Sequence, residues 1–162
     1  MKDKIVNSDQ LKEKIEKLKR QGKKVVATSG CFDILHAGHV TYLEEAAQKG
    51  DIFILFLNSD YSVRKLKGEN RPVVSEQERA IVTAGLGCID YVCLFEESTP
   101  CNIILKIQPD IFIKGGDYAQ KWIPEMDSVA TYGGRVEYVS LVNGCSTTNI
   151  IEKILNSAKG ES

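Results

Sequence analysis

The sequence predicts an α/β protein built on an open parallel β-sheet with helices on both faces. Short β-branched and aromatic runs alternate with segments of helical periodicity along the whole chain. One run, Ile52-Phe53-Ile54-Leu55-Phe56-Leu57, is apolar throughout, as expected of a strand covered on both faces. Several strands end in polar or glycine-bearing turns, and these are the places where open α/β sheets bind ligands.

The elements follow in order. Residues 8–20 read as a helix capped by Ser8, with Leu11, Ile15 and Leu18 as its apolar stripe and Gly22 as its stop. Its lysines alternate with Glu13 and Glu16, which describes a solvated face rather than a nucleic-acid patch. Lys24-Val25-Val26-Ala27-Thr28 is a buried strand, and residues 40–50 form a helix closed by Gly50. After the apolar strand, residues 61–66 read as a short helix, and Lys65 to Pro72 as a basic, flexible loop. Ser75 and Glu78 make a capping box for a helix running to about Gly85. Residues 90–95 are a strand; Thr99 caps the next helix, with Pro100 in its first position. Residues 110–113 form a strand leading into Lys114-Gly115-Gly116-Asp117-Tyr118. A helix over 124–132 stops at Gly133-Gly134, and residues 135–140 alternate as a strand. Asn143-Gly144 turns the chain, and Ser146 caps a final helix carrying Ile150, Ile151 and Ile154.

A length of 162 residues suits one domain over 1–162, with an N-terminal helix in 1–22 and a core over 24–155. The formal charge of −1 offers no general attraction to nucleic acid or to acidic membranes. No apolar run is long enough to span a bilayer, and no signal-type apolar core follows residues 1–7, so a cytoplasmic location is expected. Five cysteines, an odd number with no C-x-x-C pair, suit reduced thiols. A zinc site would need tighter clustering with histidine. Cys31 and Cys145 read as small space-fillers rather than nucleophiles.

The chemistry centres on Ser29-Gly30-Cys31-Phe32-Asp33-Ile34-Leu35-His36-Ala37-Gly38-His39. The only two histidines of the chain lie three residues apart here, between a strand and a helix. The amides that open a helix suit a phosphate, and two imidazoles beside them can donate to phosphoryl oxygens as charge develops. Lys65, Lys67 and Arg71 are compact or forked cations suited to a triphosphate, although the same residues would also make an ordinary solvated loop. Lys114-Gly115-Gly116-Asp117 follows a strand; its glycines allow close approach and Asp117 can accept from a hydroxyl or amine. A plain tight turn would look the same. Ser146, Thr147 and Thr148 can cap a helix, bind a phosphate, or do both.

The pattern Gly30-x-Phe32-Asp33-x-x-His36-x-Gly38-His39 resembles the H-x-G-H signature of the nucleotidyltransferase superfamily, in its cytidylyltransferase-like branch. Lys65-x-Lys67-Gly68-x-x-Arg71-Pro72, Glu76-Gln77-Glu78-Arg79, Lys114-Gly115-Gly116-Asp117-Tyr118 and Gly144-Cys145-Ser146-Thr147-Thr148-Asn149-Ile150-Ile151 extend the likeness to the heptose 1-phosphate adenylyltransferases. The resemblance covers roughly residues 24–155 in motif order. It implies a Rossmann-like sheet of the nucleotidyltransferase type. It also implies transfer of AMP from ATP to D-glycero-β-D-manno-heptose 1-phosphate, releasing pyrophosphate, for cell-surface polysaccharide synthesis.

In that resemblance His36, His39 and Lys65 are catalytic. Cys31, Phe32, Gly38, His39, Lys114, Gly115, Ser146, Thr147 and Thr148 bind the nucleotide. Asp33, Asn58, Lys67, Arg71 and Asp117 bind the acceptor substrate. Magnesium is a cofactor held by the triphosphate of ATP, without protein ligands. The implied partners are ATP and a sugar 1-phosphate, not nucleic acid or a membrane, and the implied assembly is a homodimer. In many bacteria this domain is fused to a sugar kinase, for which the chain has no room, so the stand-alone form is expected. One departure stands out. The glycerol-3-phosphate cytidylyltransferases carry an arginine where this chain has Leu141, and Lys153 is a candidate to replace its charge. The alternatives are a cytidylyltransferase or an FAD synthetase-like enzyme of the same fold. A non-catalytic nucleotide-binding regulator is a further alternative, but it would not require both histidines.

Overall fold

A computed structural model describes residues 2–119, 121–140, 142 and 144–160. Five parallel strands form one sheet: β1 (Val25–Gly30), β2 (Ile52–Asn58), β3 (Tyr91–Phe95), β4 (Ile111–Gly115) and β5 (Arg135–Val139). Their spatial order is β3-β2-β1-β4-β5. Among the described residues seven α-helices accompany them: α1 (Ser8–Arg20), α2 (Ala37–Ala47), α3 (Asp60–Lys67), α4 (Glu76–Ala84), α5 (Cys101–Ile107), α6 (Pro124–Ala130) and α7 (Thr147–Ala158). This is the expected Rossmann-like architecture.

Alternation along the strands divides the core in two. Val26, Phe53, Leu55, Leu57, Ile111 and Ile113 point to one face, where Leu43 and Ala46 of α2 and Ala80 and Ala84 of α4 cover them. Val25, Ala27, Ile54, Phe56 and Phe112 point to the other, against Leu11 and Ile15 of α1, Ile103, Ile104 and Ile107 of α5, and Val129 of α6.

This division follows from crossover handedness. From β1 the chain steps outward through α2 to β2 and through α3 and α4 to β3; it then returns through α5 to β4, on the opposite side of β1. Right-handed crossovers running in opposite directions put their helices on opposite faces. The strand order therefore reverses between β1 and β4, and a crevice opens at their carboxyl ends. The turn with both histidines leaves β1 at that point.

Several local expectations are corrected. Asn7, not Ser8, caps α1, in a reciprocal pairing with Gln10. The Ser8 hydroxyl instead accepts from Lys106 Nζ at 2.7 Å. The helix after the first turn starts at Ala37, which puts Gly38 and His39 in its first turn. Lys65 and Lys67 sit in the last turn of α3 rather than in a flexible loop, because Ser59 caps a helix that runs to Gly68. Pro100 occupies the cap position of α5 and no side chain caps that helix, so Thr99 does not perform the role assigned to it. Lys114 and Gly115 belong to β4 itself, and a 3-10 turn, Gly116–Tyr118, follows. The Asn143-Gly144 turn and Leu141 fall partly or wholly outside the described residues.

Candidate active site

The turn after β1 is held in an unfavourable backbone conformation. Phe32 and Ile34 have φ of 46° and 49°, in the left-handed region that non-glycine residues avoid. Such residues cost about 1–3 kcal/mol each and persist only where their surroundings over-determine them. Asp33, between them, supplies much of that restraint. Its buried carboxylate accepts from the backbone amides of Val73 and Val74 and from Arg71 Nε at 2.7 Å. Its own carbonyl accepts from Thr147 Oγ1 at 2.6 Å. Burial opposes ionisation of Asp33, but the two amides and the Arg71 guanidinium outweigh it and hold the carboxyl below its usual range. One residue thus ties the turn to the segment before α4 and to the start of α7.

The histidines stand at the start of α2. His36 is its N-cap residue and provides no side-chain cap. The rings of His36 and His39 stack with centroids 3.8 Å apart and planes at 22°, and Phe32 lies tilted against His39 at 5.0 Å. Both nitrogens of His36 and Nδ1 of His39 are buried without a hydrogen-bond partner among the described residues. Buried polar atoms are nearly always paired, so three orphaned imidazole nitrogens in one place indicate a ligand site. Burial lowers the pKa of His36, and burial together with the neighbouring His36 pushes His39 down to about 4. Gly38 allows the segment before α7 to approach closely: a Cβ there would lie 2.7 Å from Cys145 Cβ and 3.1 Å from the His36 ring.

A cleft of about 760 Å³ opens over these groups. Lys67 and Arg71 line it, as do Asn58 at the end of β2, Lys114, Gly115 and Asp117 on the β4 side, and Ser146, Thr147 and Thr148 at the start of α7. Asn58 Nδ2 donates to Ser62 Oγ at 2.8 Å, which holds it against α3. Ser146 accepts from the Asn149 amide and caps α7. Lys114 Nζ lies 2.7 Å from Glu125 Oε1 of α6. Cys31 also lines the cleft, but burial raises its thiol pKa, which suits packing rather than nucleophilic attack.

The sequence profile of the cytidylyltransferase-like family matches residues 27–153. The chain belongs to the cytidylyltransferase-like family. It is 56% identical over 152 residues to bifunctional protein HldE of Pelobacter propionicus, covering 94% of this chain and 31% of that one. The match to bifunctional protein HldE of Geobacter metallireducens is 54% over 154 residues, again 31% of the relative. The chain therefore spans about a third of the length of these relatives. Among solved structures, the lipopolysaccharide core biosynthesis protein of Thermoplasma volcanium superposes with a TM-score of 0.61 at 28% identity, covering 75% of this chain and 98% of that one. Pantoate-beta-alanine ligase of Francisella tularensis shares the fold, with a TM-score of 0.58 at 16% identity, over 94% of this chain and 76% of that one.

In this cytidylyltransferase-like chain most of the residues singled out from sequence meet in one cleft. Lys65 does not. It lines a neighbouring depression and lies over the Tyr61 ring at 4.4 Å. Lys153 is exposed along α7 and does not line the cleft. Asp33 points its carboxylate into Arg71 and the backbone, so its contacts are those of a group that shapes the site. Sequence reasoning missed three residues. Tyr42 pairs with Thr28 at 2.7 Å under the cleft. Glu125 faces Lys114. Arg79, only 2% exposed, donates to the carbonyls of Val74 and Cys31 and to Asp60 Oδ1. A charged residue directly after a capping box carries no local sign of such burial. The resemblance, which included Glu76-Gln77-Glu78-Arg79, was the only available pointer to it.

Proposed function

We propose that this chain joins the AMP moiety of ATP to D-glycero-β-D-manno-heptose 1-phosphate, releasing pyrophosphate, in the synthesis of a cell-surface polysaccharide. The observation that carries the reading is the stacked pair His36 and His39 at the start of α2, three of whose four ring nitrogens are buried without a partner among the described residues. The likeness to HldE proteins over 94% of the chain supports the acceptor, as does the solved lipopolysaccharide core biosynthesis protein.

A phosphate oxygen of the acceptor attacks the α-phosphorus in line, and the bond to the bridging oxygen of pyrophosphate breaks. The acceptor phosphate is already ionised, so no general base is required. The neutral imidazoles donate N–H groups to the oxygens of the transferring phosphate, where charge builds, in a poorly solvated site. Lys67 and Arg71 take the β- and γ-phosphates, and Ser146, Thr147 and Thr148 the nucleotide. Lys65 assists from the adjoining depression. Lys114, Gly115 and Asp117 receive the hydroxyl-bearing parts of the ligands, and Asn58 the acceptor. Catalysis is mainly positioning and electrostatics.

Magnesium fits as a passenger of the triphosphate, whose oxygens are the hard ligands it takes, since the Asp33 and Glu125 carboxylates are engaged by Arg71 and Lys114. Bound there, it offsets phosphate charge. The chain acts as a single domain over 1–162, assembled as a homodimer in the cytoplasm, and no described helix is long and apolar enough to cross a membrane.

The test is to incubate the protein with magnesium, each of the four ribonucleoside triphosphates and a panel of sugar phosphates, and to follow pyrophosphate release. ATP with heptose 1-phosphate is the expected pair. A preference for CTP, or for glycerol 3-phosphate, would overturn the assignment.

A further inference from the structure

Lys114 and Glu125 make the most buried acid–base pair on the wall of the cleft after Asp33 and Arg71. Their side chains are 17% and 6% exposed, and Lys114 Nζ is 2.7 Å from Glu125 Oε1. The ammonium also lies 5.2 Å from the ring centroid of Tyr118 and 5.9 Å from that of Phe112. Lys114 is the only cation in ion-pair contact with Glu125 among the described residues. Glu125 stands in the first turn of α6, beside Pro124.

Burying a carboxylate is costly even when it is paired, so its retention here calls for a use. Attachment of α6 is not that use. Ile123 and Val129 on either side are buried in the core and hold the helix to the sheet. The beneficiary is Lys114. A lysine has a long, flexible stem, and a free one loses rotamer entropy whenever it engages a ligand. A lysine clamped between a carboxylate and two rings has lost that freedom before the ligand arrives.

We propose that Glu125 is a positioning residue: it holds the Lys114 ammonium at the carboxyl end of β4, so that the nucleotide meets a cation already in place. This rests on the nucleotide-binding reading of the cleft. Glu125 acts through Lys114 and not by touching ATP, and that distinction is measurable.

The experiment compares wild type, K114M, E125Q and the K114M/E125Q double variant. ATP binding is measured by calorimetry without acceptor, and kcat and KM by pyrophosphate release. E125Q should weaken ATP binding about 10-fold and raise KM accordingly, with kcat at saturating ATP preserved. K114M should weaken binding at least as much. The double variant should bind no more weakly than K114M, because residues that act through one contact are not additive. Wild-type ATP affinity in E125Q overturns the proposal, as do losses that multiply in the double variant. If E125Q alone folds poorly, the double variant, which strands no buried charge, is compared with K114M; weaker binding in the double variant then overturns the proposal. A wild type that binds ATP but makes no product from heptose 1-phosphate refutes the proposed reaction and leaves this comparison standing.

Discussion

His36 and His39 are suited to their role by poor solvation. Each is kept neutral by burial, and their stacking at 3.8 Å discourages a shared positive charge until a phosphate arrives. Their hydrogen bonds then form where the transition state gains charge, so their loss should fall mainly on turnover. His36→Ala and His39→Ala are each expected to lower kcat by about 10²–10³-fold with a smaller change in ATP affinity. Near-normal turnover in both would remove the central chemical claim. Burial of His39 has a second consequence. Its folded pKa of about 4 lies below its ordinary value of 6.5, so between those values the unfolded chain binds more protons. Stability therefore rises with pH across that window and declines as pH falls from about 6.5 toward 4. Scanning calorimetry should show a falling Tm over this range in wild type and a flatter curve in His39→Asn. An identical slope in both would show that His39 does not resist protonation. The two histidines could be found from sequence because their spacing and their glycine are local. Their stacking could not, since it depends on how α2 meets the turn.

At the scale of elements, the end of α3 shows how a helix separates neighbours in sequence. Lys65 and Lys67 are two positions apart and so point to different sides of the helix. Lys67 lines the cleft, whereas Lys65 lines the depression with Tyr61 and Lys106. Lys67→Ala should raise KM for ATP by about 10-fold, one charge-assisted contact being worth roughly 1.5 kcal/mol or more, and Lys65→Ala should raise it less. Urea titrations should find both within about 0.5 kcal/mol of wild type, as expected for exposed sites. A larger KM effect at Lys65 would mean that the depression, and not the cleft, receives the triphosphate. The capping box at Ser75 and the Ser146 cap were readable because a cap and its partner lie within one turn. The cap of α1 falls one residue before the expected Ser8 because Asn7 and Ser8 are both good caps, and Lys106, 98 positions away, takes the serine hydroxyl.

At the scale of the whole molecule, Arg79 joins parts that local pattern leaves separate. Its guanidinium binds the carbonyl that follows β1, the segment before α4 and the first turn of α3. Arg79→Met should cost about 3 kcal/mol in urea unfolding, since the partly buried Asp60 carboxylate and the carbonyls of Val74 and Cys31 lose their donor. ATP affinity should fall with it. Loss of stability without loss of affinity would limit Arg79 to a structural part. The alternation of strands and helices, hence the parallel sheet, is legible in the chain alone, as is the turn with His36 and His39 as the chemical centre. Those signals are periodic or lie within a dozen residues, where local sterics and hydrogen bonding act. Tertiary packing sets the reversal of the sheet between β1 and β4 beside that turn. It alone brought Lys67, Lys114 and Thr147 to one cleft, left Lys65 outside, and paired Lys114 with Glu125. Contacts of that kind depend on which buried surfaces meet once the crossovers are made, and no short-range pattern in the chain encodes them.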